Sequence, residues 1–135
     1  MKIFDNTMSL LERTMDLRDT RHRIIASNIA NEETPGYRAN DLQFQDALSS
    51  AAANRPPVSL QVSHVRHIGL RGDAVARVTG TISPMPAADL PLDANSVNLE
   101  LEMAKMSENA MQYNTATTMI TQRFRQLLTA IREAR

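Results

Sequence analysis

The chain has 135 residues, with fifteen Lys and Arg balancing fifteen Asp and Glu, three His and no Cys. The charges are mixed along the whole length, so there is no basic footprint for nucleic acid, and the lack of Cys excludes a disulfide scaffold without fixing a compartment. Three Phe, two Tyr and no Trp are too few large side chains to predict a compact, independently stable globule.

All four Gly and all six Pro lie between Pro35 and Pro91. Residues 1–34 and 92–135 therefore carry no helix breaker, and a mainly α fold is expected: two long terminal helices joined by an irregular middle with a small β-hairpin. The first helix, 1–34, places Phe4, Met8, Leu11, Met15, Arg18, His22, Ile25 and Ile29 at 4-3 spacing. That is the seam of a coiled coil, interrupted by Arg18 and His22. Leu10, Leu17 and Ile24 lie off this seam and imply contacts with other subunits.

The first helix ends at Ser27-Asn28-Ile29-Ala30-Asn31-Glu32-Glu33-Thr34-Pro35-Gly36-Tyr37. Pro35 drives Thr34 out of the helical region and suits position i+1 of a turn, and Gly36 supplies the positive φ of a type II turn at i+2. Asn28 and Asn31 suit a fraying helix end, and Tyr37 offers an apolar body with a polar tip. This turn segment, 35–45, leads into a middle spanning 46–92. Within it Ala47–Asn54 and Met85–Pro91 read as linkers, while Val58, Leu60 and Val62 alternate with polar residues and Val75–Ile82 is β-rich.

The C-terminal helix, 93–135, keeps the 4-3 spacing through Leu99, Met103, Met106, Ala110, Tyr113, Thr117, Ile120, Phe124, Leu127 and Ile131. Glu100, Glu102 and Glu108 sit early and Arg123, Arg125 and Arg132 late, in accord with the helix dipole. Asp93, Asn95, Ser96 and Asn98 are candidate caps. From 99 to 131 this helix is about 50 Å long and the first, from 5 to 30, about 39 Å, so each stripe needs a partner. The nearest partner is the other helix, as one coiled-coil domain, and Ala104, Met111 and Leu128 off the seam imply further helices from other copies.

Chemistry is sought and not found. His64-x-x-His67 has metal-like spacing but no third ligand nearby, and Asp19, His22 and Ser27 lie on a helix surface without a pocket or oxyanion hole. No catalytic residue, metal, cofactor or small-molecule substrate is expected. No stretch approaches twenty apolar residues, and the first twenty carry Lys2, Asp5, Glu12, Arg13, Asp16, Arg18 and Asp19. Neither membrane insertion nor a cleaved signal peptide is expected.

The words Ser27-Asn28-Ile29-Ala30-Asn31 and Thr34-Pro35-Gly36-Tyr37 resemble the N-terminal motif of the bacterial flagellar axial proteins. The run Glu102-Met103-Ala104-Lys105-Met106 with Glu108-Asn109 and Tyr113 is similar to the tail of the proximal members of the basal-body rod family. Ala94 and Asn98 depart from that pattern, where Gly and Asp are usual. The resemblance covers about 1–45 and 93–135. It implies a non-enzymatic structural subunit of the periplasmic basal-body rod, exported by the flagellar type III apparatus without a cleaved signal and polymerised through its terminal helices. Implied partners are copies of itself, other rod proteins, the adaptor between membrane ring and rod, and the export apparatus. Residues implied in subunit packing are Phe4, Met8, Leu11, Met15, Ile25, Ile29, Leu99, Met103, Met106, Ala110, Tyr113, Ile120, Phe124, Leu127 and Ile131. Another axial subunit of rod or hook type, or a cytoplasmic helical-hairpin adaptor or export chaperone, are the alternatives.

Overall fold

A computed structural model describes residues 6–53, 75, 77–84 and 95–133. Its elements in chain order are α1 (Asn6–Ala30), β1 (Asn40–Gln43), α2 (Gln45–Ala52), β2 (Thr81–Pro84) and α3 (Leu99–Glu133). Phe4, the 58–62 alternation, His64, His67, the 85–91 linker and the cap candidate Asp93 lie outside the described residues.

The two long helices pack against each other, as the unbroken terminal segments predict. They run antiparallel, because Asn28 near the end of α1 meets Glu102 near the start of α3, and Arg18 meets Asn109 farther along. With 25 and 35 residues the helices are about 37 and 52 Å long. The last part of α3 is therefore largely uncovered, and between residues 121 and 133 every side chain but Leu127 is exposed. Asn98 caps α3: its side-chain oxygen accepts the Leu101 N–H at 3.0 Å, the third helical position, where an N-cap is satisfied best.

The described parts of the middle, together with β1, pack on the other side of α1. β1 and β2 pair antiparallel with Leu42 opposite Ile82 and Asp41 opposite Ser83. Leu17, Leu42, Phe44, Ala51, Val75 and Val78 form the core, flanked by Leu10, Ile24 and Leu48. Leu10, Leu17 and Ile24, three positions one heptad apart, thus pack on this chain's own core, Leu17 buried and the other two half-buried. Gly80 is required there, since a Cβ would stand 2.6 Å from Leu42 Cγ.

Two elements depart from the sequence reading. Most of the small-residue stretch Ala47–Asn54, read as a linker, lies in α2; Ala and Leu favour helix, Asp46 complements its first turn, and Leu48 and Ala51 pack on the core. The strand partnering the β-rich 75–82 segment is Asn40–Gln43, a polar sequence held extended by its pairing with β2 and by the Asn28 bonds to Asn40.

Phe44 is 3% exposed and Phe124 47%. Phe44→Ala is expected to destabilise the isolated chain by about 3–5 kcal/mol and Phe124→Ala by less than about 1 kcal/mol. Chemical denaturation of the two variants side by side checks this; equal losses would contradict the placement of the core.

Candidate functional site

The motif Ser27–Tyr37 and the first turns of α3 meet in a buried polar junction. Thr34 C=O accepts the Tyr37 N–H at 3.2 Å and Gly36 has a φ of +74°, which is the type II turn expected of Pro35-Gly36. Asn31 stabilises the approach, donating to Ser27 C=O at 2.8 Å and accepting from the Thr34 hydroxyl at 3.2 Å. Asn95 sits against the same loop, its amide donating to the carbonyls of Asn31 and Thr34 at 3.1 and 2.9 Å. It thereby adds a second donor to turn carbonyls that already accept the N–H groups of Thr34 and Tyr37. Ser96 adds two rungs, donating its N–H to Tyr37 C=O at 3.0 Å and accepting the Ala39 N–H on its hydroxyl at 2.8 Å.

Asn28 is the centre. It is fully buried. Its amide donates to Asn40 C=O at 2.7 Å and to Glu102 Oε2 at 2.8 Å, and its oxygen accepts from Asn40 N–H at 3.1 Å and the Tyr37 hydroxyl at 3.3 Å. A primary amide has two donors and two acceptor sites, and all are used. Glu102 is 1% exposed, and its other oxygen accepts from Lys105 Nζ at 2.6 Å.

Two further ties run along α1. Arg21 grips Asp41 with two bonds of 2.8 Å, the forked geometry that makes such pairs strong. The hydrogen bond to Asp41 raises the Arg21 pKa. For Asp41, burial pushes the carboxyl up, but the Arg21 bonds and charge and the Leu42 N–H outweigh it and hold the carboxyl below its ordinary value. Arg18 lies over the Phe44 ring, 5.5 Å from its centroid, and its carbonyl accepts the Asn109 amide at 2.9 Å. Burial foremost, with Arg21 nearby, lowers its pKa. Hollows of about 480 and 300 Å³ flank Asp41 and Asn109, the first reaching Arg21, Asp46 and Thr79 and the second Arg18, His22 and Tyr113. Among the described residues no cluster of His, Cys, Asp and Glu suits a metal ion, and no described helix is long and apolar enough to cross a membrane.

The residues singled out in the sequence divide between buried and exposed positions. Asn28 is buried, Ile29, Asn31 and Tyr37 half-buried, and Ser27, Ala30, Thr34, Pro35 and Gly36 exposed. Of the packing stripes, Met8 and Ile25 are buried, Leu11, Met15, Leu99, Met106, Ile120 and Leu127 half-buried, and Met103, Ala110, Tyr113, Phe124 and Ile131 exposed; Phe4 lies outside the described residues. The line of α3 that enters the interior is instead Glu102, Asn109 and Ala116. Sequence reasoning took Glu102 for a dipole partner, named Asn109 only as part of a family motif, and passed over Arg21 and Asp41. The seven-residue spacing of 102, 109 and 116 was the available signal, hidden because two of the three are polar.

No atom lies within 4 Å of where a Gly36 Cβ would stand, so Gly36→Val is opposed by backbone conformation alone. An expected loss of about 1–3 kcal/mol is checked by denaturant unfolding; an unchanged midpoint would contradict it. Asp41 gives an acid dependence. Its folded pKa lies below the unfolded value near 3.8, so its stabilisation is complete above that value and disappears as pH falls through the lower folded one. The stability gap between wild type and Asp41→Asn should therefore narrow below about pH 4, read from urea unfolding at a series of pH values. A constant gap would show that the Arg21 pair is not its source.

No protein-family model matches the chain. Curated relatives span nearly all of it. The flagellar basal body rod protein FlgB of Cereibacter sphaeroides is 31% identical over 132 residues, covering 96% of both chains. Proteins of the same name from Aeromonas hydrophila and Bacillus subtilis are 26% and 24% identical over 131 residues each, covering 96% and 97% of this chain and 95% and 97% of theirs. Helical patterning alone does not produce such identity along the full length of both partners, and the chain therefore belongs to the FlgB family of flagellar basal body rod proteins.

Proposed function

We propose that this chain is a non-enzymatic building block of the periplasmic rod, exported through the flagellar type III apparatus and polymerised through its terminal helices. The observation that carries the reading is the uncovered apolar surface of α3. Leu101, Met103, Met111, Met119, Phe124, Leu128 and Ile131 are 46–70% exposed on one helix. An apolar surface of this extent in a small chain calls for a protein partner, and relatives named as rod proteins supply the class of partner. The stripe residues Phe124, Leu127 and Ile131, with Met103, Ala110 and Tyr113, are assigned here to contacts between subunits. Met8, Leu11, Met15, Ile25 and Ile29 support them from the α1 side.

Export fits the energetics of the fold. The pairing of α1 with α3 is made largely by hydrogen-bonded polar groups, each worth a small net stabilisation, while the apolar core lies on the other side of α1. Such a pair opens at low cost to pass a narrow channel, and the ordering entropy is recovered when neighbours cover α3.

Phe124→Asp tests this reading against Gln126→Asp, an exposed position off the stripe. In the isolated chain both changes should alter stability by no more than about 0.5–1 kcal/mol. In cells both chains should be exported. Phe124→Asp alone should be missing from purified basal bodies and leave cells without filaments, because a carboxylate desolvated without a partner costs about 3–5 kcal/mol per contact. Normal rods and motility in Phe124→Asp cells would refute the assignment.

A further inference from the structure

α3 carries two separate exposed patches whose chemistry is complementary. At 100° per residue, Phe124, Leu128, Ile131, Arg125 and Arg132 project from one side of its C-terminal third. Leu101, Ala104, Met111, Glu100 and Glu108 project from another side of its N-terminal third, about 130° away round the helix. The line that packs on α1, through Glu102, Asn109 and Ala116, lies on the opposite side of the helix, outside the arc that separates the two patches. All ten patch residues are exposed. Arg125 and Arg132 make no ion pair among the described residues, and neither do Glu100 and Glu108.

We infer that the arginine-bearing tail patch of one copy docks on the glutamate-bearing head patch of α3 in a second copy. The inference rests on the reading of the chain as an assembly subunit and adds which surfaces meet and in what stagger. Each patch is apolar with charges of one sign beside it, so like patches repel and unlike patches attract. The spacings also agree. Glu100 and Glu108 are about 12 Å apart along the axis and Arg125 and Arg132 about 10.5 Å, so both pairs come into reach when parallel helices are displaced by about 37 Å. Because the patches lie on different sides and different thirds of one helix, a two-fold pair through either patch alone brings like charges together. The contact is heterologous: every copy offers a tail and accepts one, and the row extends.

Charge reversal separates this from other arrangements; because Glu108 also lies within electrostatic reach of Arg18 and Arg21, the fold of each variant is measured alongside its association. One variant carries Glu100→Arg with Glu108→Arg, the other Arg125→Glu with Arg132→Glu. Self-association of purified wild type, each variant and their equimolar mixture is followed by sedimentation velocity, with circular dichroism to verify wild-type helix content. Each variant alone should associate at least about tenfold more weakly than wild type. The mixture should recover association, because each chain's head then fits the other's tail. Recovery in the mixture with loss in both variants alone supports the inference. Wild-type association by either variant alone, or a mixture as weak as its components, overturns it. A wild-type chain that stays monomeric also overturns self-docking through these patches. It leaves the rod reading standing, since that reading is decided by whether the chain is present in purified basal bodies.

Discussion

A single amide holds three parts of the chain in one arrangement. Asn28 bonds to both backbone groups of Asn40, to the Tyr37 hydroxyl and to Glu102, so the end of α1, the start of β1 and the head of α3 are fixed relative to each other through one side chain. The arrangement is all-or-none in character. A buried carboxylate such as Glu102 is tolerable only while its oxygens are occupied, and Asn28 and Lys105 are what occupy them. The Pro35-Gly36 turn returns the chain at the angle that delivers Asn40 to the amide, and Asn95 and Ser96 bring α3 to the same point.

The setting of α3 about its own axis follows from this junction. Its 4-3 apolar stripe and its Glu102-Asn109-Ala116 line are rotated from each other by roughly 60°. Burying the stripe against α1 would bring more hydrocarbon out of water but would pull Glu102 and Asn109 from their partners, at a cost of several kcal/mol for the unpaired carboxylate. The polar line therefore faces inward, and much of the stripe is left for another chain. Buried polar groups fixing the register of paired helices act in the same way.

The parts of this fold that were legible in the sequence are those set by local sterics. Helices without breakers, the turn at Pro35-Gly36 and the cap at Asn98 all follow from constraints acting within a few residues. The Ala- and Ser-rich stretch in α2 was not legible, since its composition suits a linker as well as a helix and Phe44 and Leu48 decide between them by packing on the core. Asn40–Gln43 was not legible either, because its extended form depends on Asn28 and on β2. Glu102 and Asn109 read as surface residues for a simple reason: a buried polar group is recognisable only beside its partner, and theirs are on the other helix. The 4-3 pattern located the helices but carried no information about which neighbour each residue meets.

The ties between α1 and α3 have a further consequence for the order in which the chain can fold. Asn28 and Glu102 are separated by 74 residues and Arg18 and Asn109 by 91, so neither bond forms until nearly the whole polypeptide has been synthesised and a long loop closed. Contacts of that separation slow folding, since the closure entropy is lost before any contact compensates it. Tyr37, Asn40 and Asp41, 9 to 20 residues away, already supply partners to Asn28 and Arg21, so what waits for α3 is the part of the network made by Glu102 and Asn109. The topology thus places the docking of α3 after the local contacts of α1 with the turn and β1.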